Sequence, residues 1–311
     1  MGITFLMTLT KMSKGTVTFS FDCEGKWGMA DIPTDWDVSL NQDNLFTAYE
    51  FILETLKEND ICSTFAFVGA LTERRDFFLE EISPKLTDDA YCDWLNYSKH
   101  RILDKEEEGW FMPELLTMVK GYKAHEIATH GYTHIPFNML DIETAKKELE
   151  LISRWAERNE IECSTMIFPR NIIRHYDLLR EYGILGFRDI PDNISTDRIP
   201  KFLKTLIDEM SVLKKSQQIQ ESEPIRIPGG TFINWRHGFR RYIPSLISLS
   251  KYKSMINHSI NNNGVAHFWI HPHNFITSPL TKDLFRRLCE EVSEKRNNLK
   301  LEVKKQNDFL Q

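Results

Sequence analysis

The sequence predicts a parallel α/β architecture, and three observations point there. Strand-like runs of period two alternate with helix-like runs of period 3.6 about seven times, with no second composition regime. The polar residues that interrupt the apolar strands fall at strand ends, where parallel barrels build their sites. No Gly-x-Gly-x-x-Gly follows the first strand and no Gly-Lys-Ser/Thr loop occurs, which leaves a nucleotide-binding fold without support. Periodicity by itself does not separate a closed barrel from an open doubly wound sheet.

The first strand is Thr16 to Glu24, stopped by Gly25. Thr18, Ser20, Asp22 and Glu24 share one face, and Val17, Phe19, Phe21 and Cys23 the other. A helix follows over 45–59, with Leu45, Tyr49, Ile52, Leu53 and Leu56 on one stripe. Residues 61–68 form the second strand, 72–110 a polar, acidic insertion, 113–120 a short helix, and 125–129 a third strand. Asp141 is placed to cap a helix running to about Asn159. Strands at 163–168, 184–187 and 225–227, helices at 172–182 and 199–213, and a second insertion near 190–224 continue the alternation. Gly183 suits the residue after a helix C-terminus. A helix over 244–262, a strand over 265–270 and a last helix over 279–296 complete a single domain of residues 15–297. Residues 1–14 and 298–311 read as tails.

Several bounds on function follow. The net charge of −6 and the lack of a long basic run argue against nucleic-acid binding. No run of 18 apolar residues is present, so no membrane span is expected. Five scattered cysteines without a Cys-x-x-Cys give neither a disulfide framework nor a cysteine zinc site, and suggest reduced thiols and a cytoplasmic location.

The chemistry gathers at the strand tips. His130 and His134 stand four apart in His-Gly-Tyr-Thr-His, a spacing that lets two imidazoles face one divalent metal such as zinc. Gly131 follows the first histidine, so this pair carries no general base, and a carboxylate has to come from elsewhere. Asp22 and Glu24 end one strand on a common face, Arg170 and Arg226 lie at other strand ends, and His271 with His273 closes the last strand. Trp27, close behind the acid pair, is a candidate to line the site. Cys23 reads as a small buried hydrophobe on the opposite face.

In this order, Ser20-Phe21-Asp22-Cys23-Glu24-Gly25, His130-Gly131-Tyr132-Thr133-His134, Phe168-Pro169-Arg170 and Ile270-His271-Pro272-His273 resemble the motifs of the polysaccharide deacetylases, carbohydrate esterase family 4. The resemblance spans about residues 15–275 and implies a distorted parallel (β/α)7 barrel that deacetylates N- or O-acetylated sugars with one divalent metal, zinc foremost. It implies Glu24, His130 and His134 as metal ligands, Asp22 as base and His271 as acid. Arg170 would orient Asp22, with Arg226 as the other candidate, and Trp27, Arg226 and His273 would contact substrate. The usual first motif has two adjacent aspartates; Asp22-Cys23-Glu24 resembles a branch that includes allantoinase-like members. The usual Arg-x-Pro motif is replaced by Phe168-Pro169-Arg170-Asn171.

Three other readings compete: an allantoinase-like amidohydrolase, an inactive carbohydrate-binding barrel, and a non-haem iron oxygenase built on two histidines and a carboxylate. Acetate release, turnover and oxygen uptake, respectively, separate them.

Overall fold

A computed structural model describes residues 14–32, 39–103, 107–191, 201–298 and 301–311; the expected N-terminal tail up to residue 13 and residues 192–200 of the second insertion lie outside them. Among these residues, nine strands form one sheet. They are β1 (Gly15–Cys23), β2 (Thr64–Phe67), β3 (Glu126–Thr129), β4 (Thr165–Ile167), β5 (Gly186–Arg188), β6 (Ile225–Ile227), β7 (Thr231–Phe232), β8 (Val265–Ile270) and β9 (Leu301–Val303). The order is β6-β5-β4-β3-β2-β1-β8-β7, with β9 on β1. The pairings are parallel. The two edges, β6 and β7, are joined by only Pro228-Gly229-Gly230, so the sheet curls round until its ends are one turn apart. This is a distorted (β/α)7 barrel, and it decides between the two architectures that periodicity left open.

The alternation of β1 sets the two faces of the barrel. Its register aligns Ser20 with Thr64 and Trp269, and Asp22 with Ala66. Further round the sheet, Ala66 aligns with Ala128, and Ile167 with Arg188. Residues in register share a face, so the barrel interior holds mostly small and polar side chains, Thr18, Ser20, Thr64, Ala66, Ala128, Gly186, Arg188 and His267, with Ile167 and Trp269 among them. The outer face carries Phe19, Phe21, Phe65, Phe67 and Phe268, all buried. The helices cover these aromatics. Phe285, on the Pro279–Asn297 helix, touches Phe19, Phe21, Phe51 and Phe275 with ring centroids 5.2–6.2 Å apart. The hydrophobic core therefore lies between sheet and helices, which frees the interior for charge.

Local rules place the helices. Asp141 caps the Ile142–Arg158 helix as expected, accepting from the Thr144 N–H at 2.8 Å, and Asn41 caps the Gln42–Glu58 helix through Asn44 at 2.9 Å. Gly183 ends a 3₁₀ stretch over Tyr176–Tyr182 with φ 78°, where left-handed backbone favours glycine. The first insertion is largely short helices, including Arg75–Phe77, Asp89–Trp94 and Lys99–Leu103.

The segment read as a C-terminal tail is part of the barrel. β9 lies beside the N-terminal half of β1, where the four-residue β2 does not reach. The 3₁₀ turn Gln306–Phe309 then closes the barrel floor. Gln306 donates its N–H to Thr64 Oγ1 at 2.9 Å, and Asn307 donates to Glu126 Oε2 at 3.0 Å. Glu126 also accepts from Thr64 Oγ1 at 2.6 Å and Thr165 Oγ1 at 2.5 Å. Sequence reading missed this strand because only three residues pair and their partners lie at the other end of the chain.

Burial raises the Glu126 carboxyl above its usual 4.5, outweighing these hydrogen bonds. An acid whose folded value is raised holds its proton longer in the folded state, so stability falls as pH climbs from the unfolded value through the folded one. Urea unfolding of wild type and Glu126→Gln from pH 4 to 8 should show that decline in wild type and a flatter profile in the variant. Parallel profiles would place the charge cost elsewhere.

Candidate metal and catalytic site

The C-terminal ends of β1, β3, β5 and β8 converge on Asp22, Glu24, His130, His134, Arg188 and His271. The Glu24, His130 and His134 ligand atoms lie within 4.8 Å of one another, and so do those of Asp22, Glu24 and His271. Glu24 Oε1 is the focus: His130 Nε2 lies 3.1 Å away, His134 Nε2 3.2 Å and His271 Nε2 3.2 Å.

The histidine pair is shaped by its loop. Gly131 has φ 81° and His134 φ 60°, a double excursion into left-handed backbone that folds the loop and brings the imidazoles to 4.8 Å between centroids. Glu148, fully buried on the Ile142–Arg158 helix, holds that fold. Its Oε1 accepts the Tyr132 and Thr133 N–H groups at 2.8 Å each and the Thr133 hydroxyl at 3.2 Å, while Oε2 accepts from Tyr91 at 2.8 Å. Trp94 Nε1 donates to Thr133 O at 2.9 Å from the other side. The first insertion thus braces the histidine loop through Tyr91 and Trp94.

The donor set fits a divalent metal. His130 Nδ1 lies 2.7 Å from Ile167 O. A carbonyl only accepts, so Nδ1 carries the proton and Nε2 turns its lone pair toward Glu24. A lone pair and a carboxylate oxygen 3.1 Å apart repel unless a proton or cation sits between them. Two imidazoles and one carboxylate leave positions open for water or substrate. Burial opposes the Glu24 charge, but His271, His134 and His130 together hold its carboxyl well below the usual range.

Asp22 faces a different partner from the one expected. Arg188, at the end of β5, grips it with two parallel bonds, Nη1 to Oδ1 and Nη2 to Oδ2, both 2.7 Å. Nη1 also reaches Ser20 Oγ at 3.0 Å, Nη2 reaches Asn171 Oδ1 at 2.9 Å, and the guanidinium lies 4.5 Å over the Trp269 ring. His267 sits below, its Nε2 2.8 Å from Ser20 Oγ and its Nδ1 2.5 Å from Pro228 O. Burial opposes the Asp22 charge; Arg188 first and His130 next outweigh it and lower the carboxyl.

Arg170 does not reach Asp22. Its backbone is left-handed, φ 57°, and sends the guanidinium outward, where Nη1 donates to Asp31 at 3.0 Å and the group lies 4.8 Å above Trp94. Arg226 is also misplaced: its register with Phe187 puts it on the outer face, 4.9 Å above the Tyr176 ring. Trp27 belongs to the core. Gly25, φ 54°, turns the chain away after Glu24, and the indole Nε1 donates to Trp110 O at 2.6 Å among Phe78, Trp110 and Phe111. Arg188 was legible as a strand-end arginine, but the strand read as ending at Phe187 excluded it.

The two late histidines stack at 5.0 Å but differ in environment. Burial lowers His271, yet Glu24 and then Asp22 outweigh it and push the imidazole up to about 9. Burial and then the neighbouring His271 push His273 down to about 3.

Fold and rim together define a parallel barrel carrying a carboxylate–imidazole cluster at the C-terminal ends of its strands. Solved structures share that fold. A protein from Mycobacterium smegmatis assigned as a polysaccharide deacetylase matches with a TM-score of 0.62 at 16% identity, covering 96% of this chain and 90% of its own. A Pseudomonas aeruginosa PAO1 protein with the same assignment matches with a TM-score of 0.53 at 12% identity, covering 95% and 89%. The Puue allantoinase matches with a TM-score of 0.53 at 12% identity, covering 97% and 90%. No protein-family model matches the sequence, and no curated protein is similar to it.

Two outcomes follow from this geometry. Arg188→Met strands a buried carboxylate and should cost about 3–5 kcal/mol, whereas Arg170→Met removes a partly exposed pair and should cost about 1 kcal/mol or less. Denaturant unfolding of both variants checks this, and equal losses would contradict it. For Glu148, the isosteric Gln keeps an oxygen for the two backbone N–H groups and Ala does not. Glu148→Ala should weaken zinc binding about 10–100-fold by calorimetry, as loss of a group that orients a metal ligand does, while Glu148→Gln stays near wild type. Unchanged affinity in Glu148→Ala would mean that the loop holds itself.

Proposed function

We propose that this chain is a metal-dependent hydrolase that removes an acetyl group from an N- or O-acetylated sugar, as part of making or modifying a polysaccharide precursor. The single observation carrying this reading is a buried carboxylate, Asp22, clamped by Arg188 and grouped within 4.8 Å with Glu24 and His271, where Glu24 also belongs to a Glu24, His130 and His134 set suited to one divalent ion. The fold shared with the deacetylase structures supports it.

Glu24, His130 and His134 would hold the ion, for which zinc suits the imidazole-rich set. When bound, such an ion lowers the pKa of its water and polarises the acetyl carbonyl. Asp22 takes the proton from the attacking water. Arg188 keeps Asp22 ionised and fixes its plane, because a bidentate guanidinium allows one orientation where a point charge allows many. A protonated His271 would give its Nε2 proton to the leaving amine or alkoxide as the acyl bond breaks. Acetate and the free sugar leave, and the proton on Asp22 passes through water to His271, which restores both groups. His273, stacked on His271, would contact substrate in this reading.

The allantoinase likeness keeps one second reading, hydrolysis of a small cyclic amide. Metal-loaded protein should release acetate from acetylated sugars, with a panel covering nucleotide-linked and lipid-linked forms. Ring opening of allantoin without acetate release would establish the second reading, and oxygen uptake an iron oxygenase. Within the deacetylase reading, Asp22→Asn should lower turnover about 10²–10⁴-fold with metal retained, while Glu24→Gln should lose metal first. Metal content beside turnover decides, and the reverse pattern would exchange the two roles.

A further inference from the structure

The rim beside His271 carries an unusual surface. Between Glu223 and Asp283 the chain has no acidic residue, although the whole protein bears a net charge of −6. Within that stretch Arg236 ties three segments together. Its N–H donates to Thr281 Oγ1 and its carbonyl accepts from Ser278 Oγ, both at 2.9 Å. Its guanidinium donates to Arg241 O at 2.9 Å and to Ser245 Oγ. This unit gathers Phe239, Tyr242, Leu246 and Leu280, which are 46%, 73%, 68% and 49% exposed. Arg241 lies 4.9 Å over the Tyr242 ring, and among the described residues no carboxylate pairs with Arg236 or Arg241. The patch adjoins the site: Arg240 lies 5.2 Å over Phe232, whose ring is 5.8 Å from His271.

We propose that this arginine- and aromatic-bearing rim docks the protein on a bilayer surface of anionic phospholipid. Single exposed apolar side chains are ordinary, but four on one hydrogen-bonded unit interleaved with arginines that no described carboxylate neutralises match an interfacial contact. The rings and leucines enter the headgroup layer, and guanidinium forks meet lipid phosphates. A soluble polyanion would use the arginines but leave Tyr242 and Leu246 in water. Among the described residues no helix is long and apolar enough to cross a membrane, so the attachment is peripheral. If the deacetylase reading holds, on which only this clause rests, the docked rim presents the site to sugars carried on a lipid anchor.

The test is co-sedimentation of the full chain with vesicles of phosphatidylcholine, alone or mixed with phosphatidylglycerol. Binding should appear with the mixed vesicles, weaken with added salt, and fall roughly tenfold or more in Tyr242→Ser/Leu246→Ser and in Arg241→Gln. Both variants change exposed positions, and thermal melting checks that they stay folded. No binding to mixed vesicles, or wild-type binding by the Tyr242→Ser/Leu246→Ser protein, overturns the proposal. A chain retained on dextran sulfate but not on vesicles overturns it too, assigning the arginines to a soluble polyanion. Because binding is read without turnover, failure here and failure of the deacetylase reading are separate results.

Discussion

The structure depends on one buried ion pair that spans the barrel. Asp22 on β1 and Arg188 on β5 are both almost fully buried, and neither is tolerable there alone. Their mutual bonds are supplemented by Ser20, Asn171 and the face of Trp269, so most of the polar capacity is met inside the protein. For this pair to exist, the barrel interior has to be narrow and lined by small side chains. Ser20, Ala66, Ala128 and Gly186 supply that lining, Trp269 stays inside as the face on which Arg188 stacks, and the phenylalanines Phe19, Phe21, Phe65, Phe67 and Phe268 lie outside, where the helices cover them.

The same pair explains what sequence could and could not reveal. The alternation of Thr16 to Cys23 and the four-residue spacing of the histidines are local and survive in the structure, although Glu24 leaves the strand with helical backbone, φ −102° and ψ −30°. The identity of the arginine on Asp22 is not local. Arg170 and Arg188 both end strands, and only the left-handed backbone at Arg170 and the register of β5 distinguish them. Arg226 failed by parity, one position out of phase with the interior. Trp27 failed because a turn at Gly25 redirects the chain immediately after the acid pair. Glu148 carried no sequence signal at all, since an acid on an amphipathic helix reads as surface until the Tyr132 and Thr133 N–H groups are seen to need it.

The site's electrostatics divide labour between two carboxylates two residues apart. Asp22 answers to a permanent guanidinium, while Glu24 answers to three imidazoles. Burial opposes the charge on both, and each keeps it for a separate reason. One short segment thus presents two buried carboxylates of different character, one fixed by a guanidinium and one ringed by imidazoles.

The position of β1 has a consequence for how the chain reaches this state. Its neighbours are β8 on one side and β2 and β9 on the other; β8 and β9 begin only at Val265 and Leu301 and give the fold a high contact order. During synthesis the first strand therefore waits, with Phe19 and Phe21 uncovered, until nearly the whole chain has left the ribosome. A nascent chain in that condition exposes an apolar edge and is a natural client for holding chaperones.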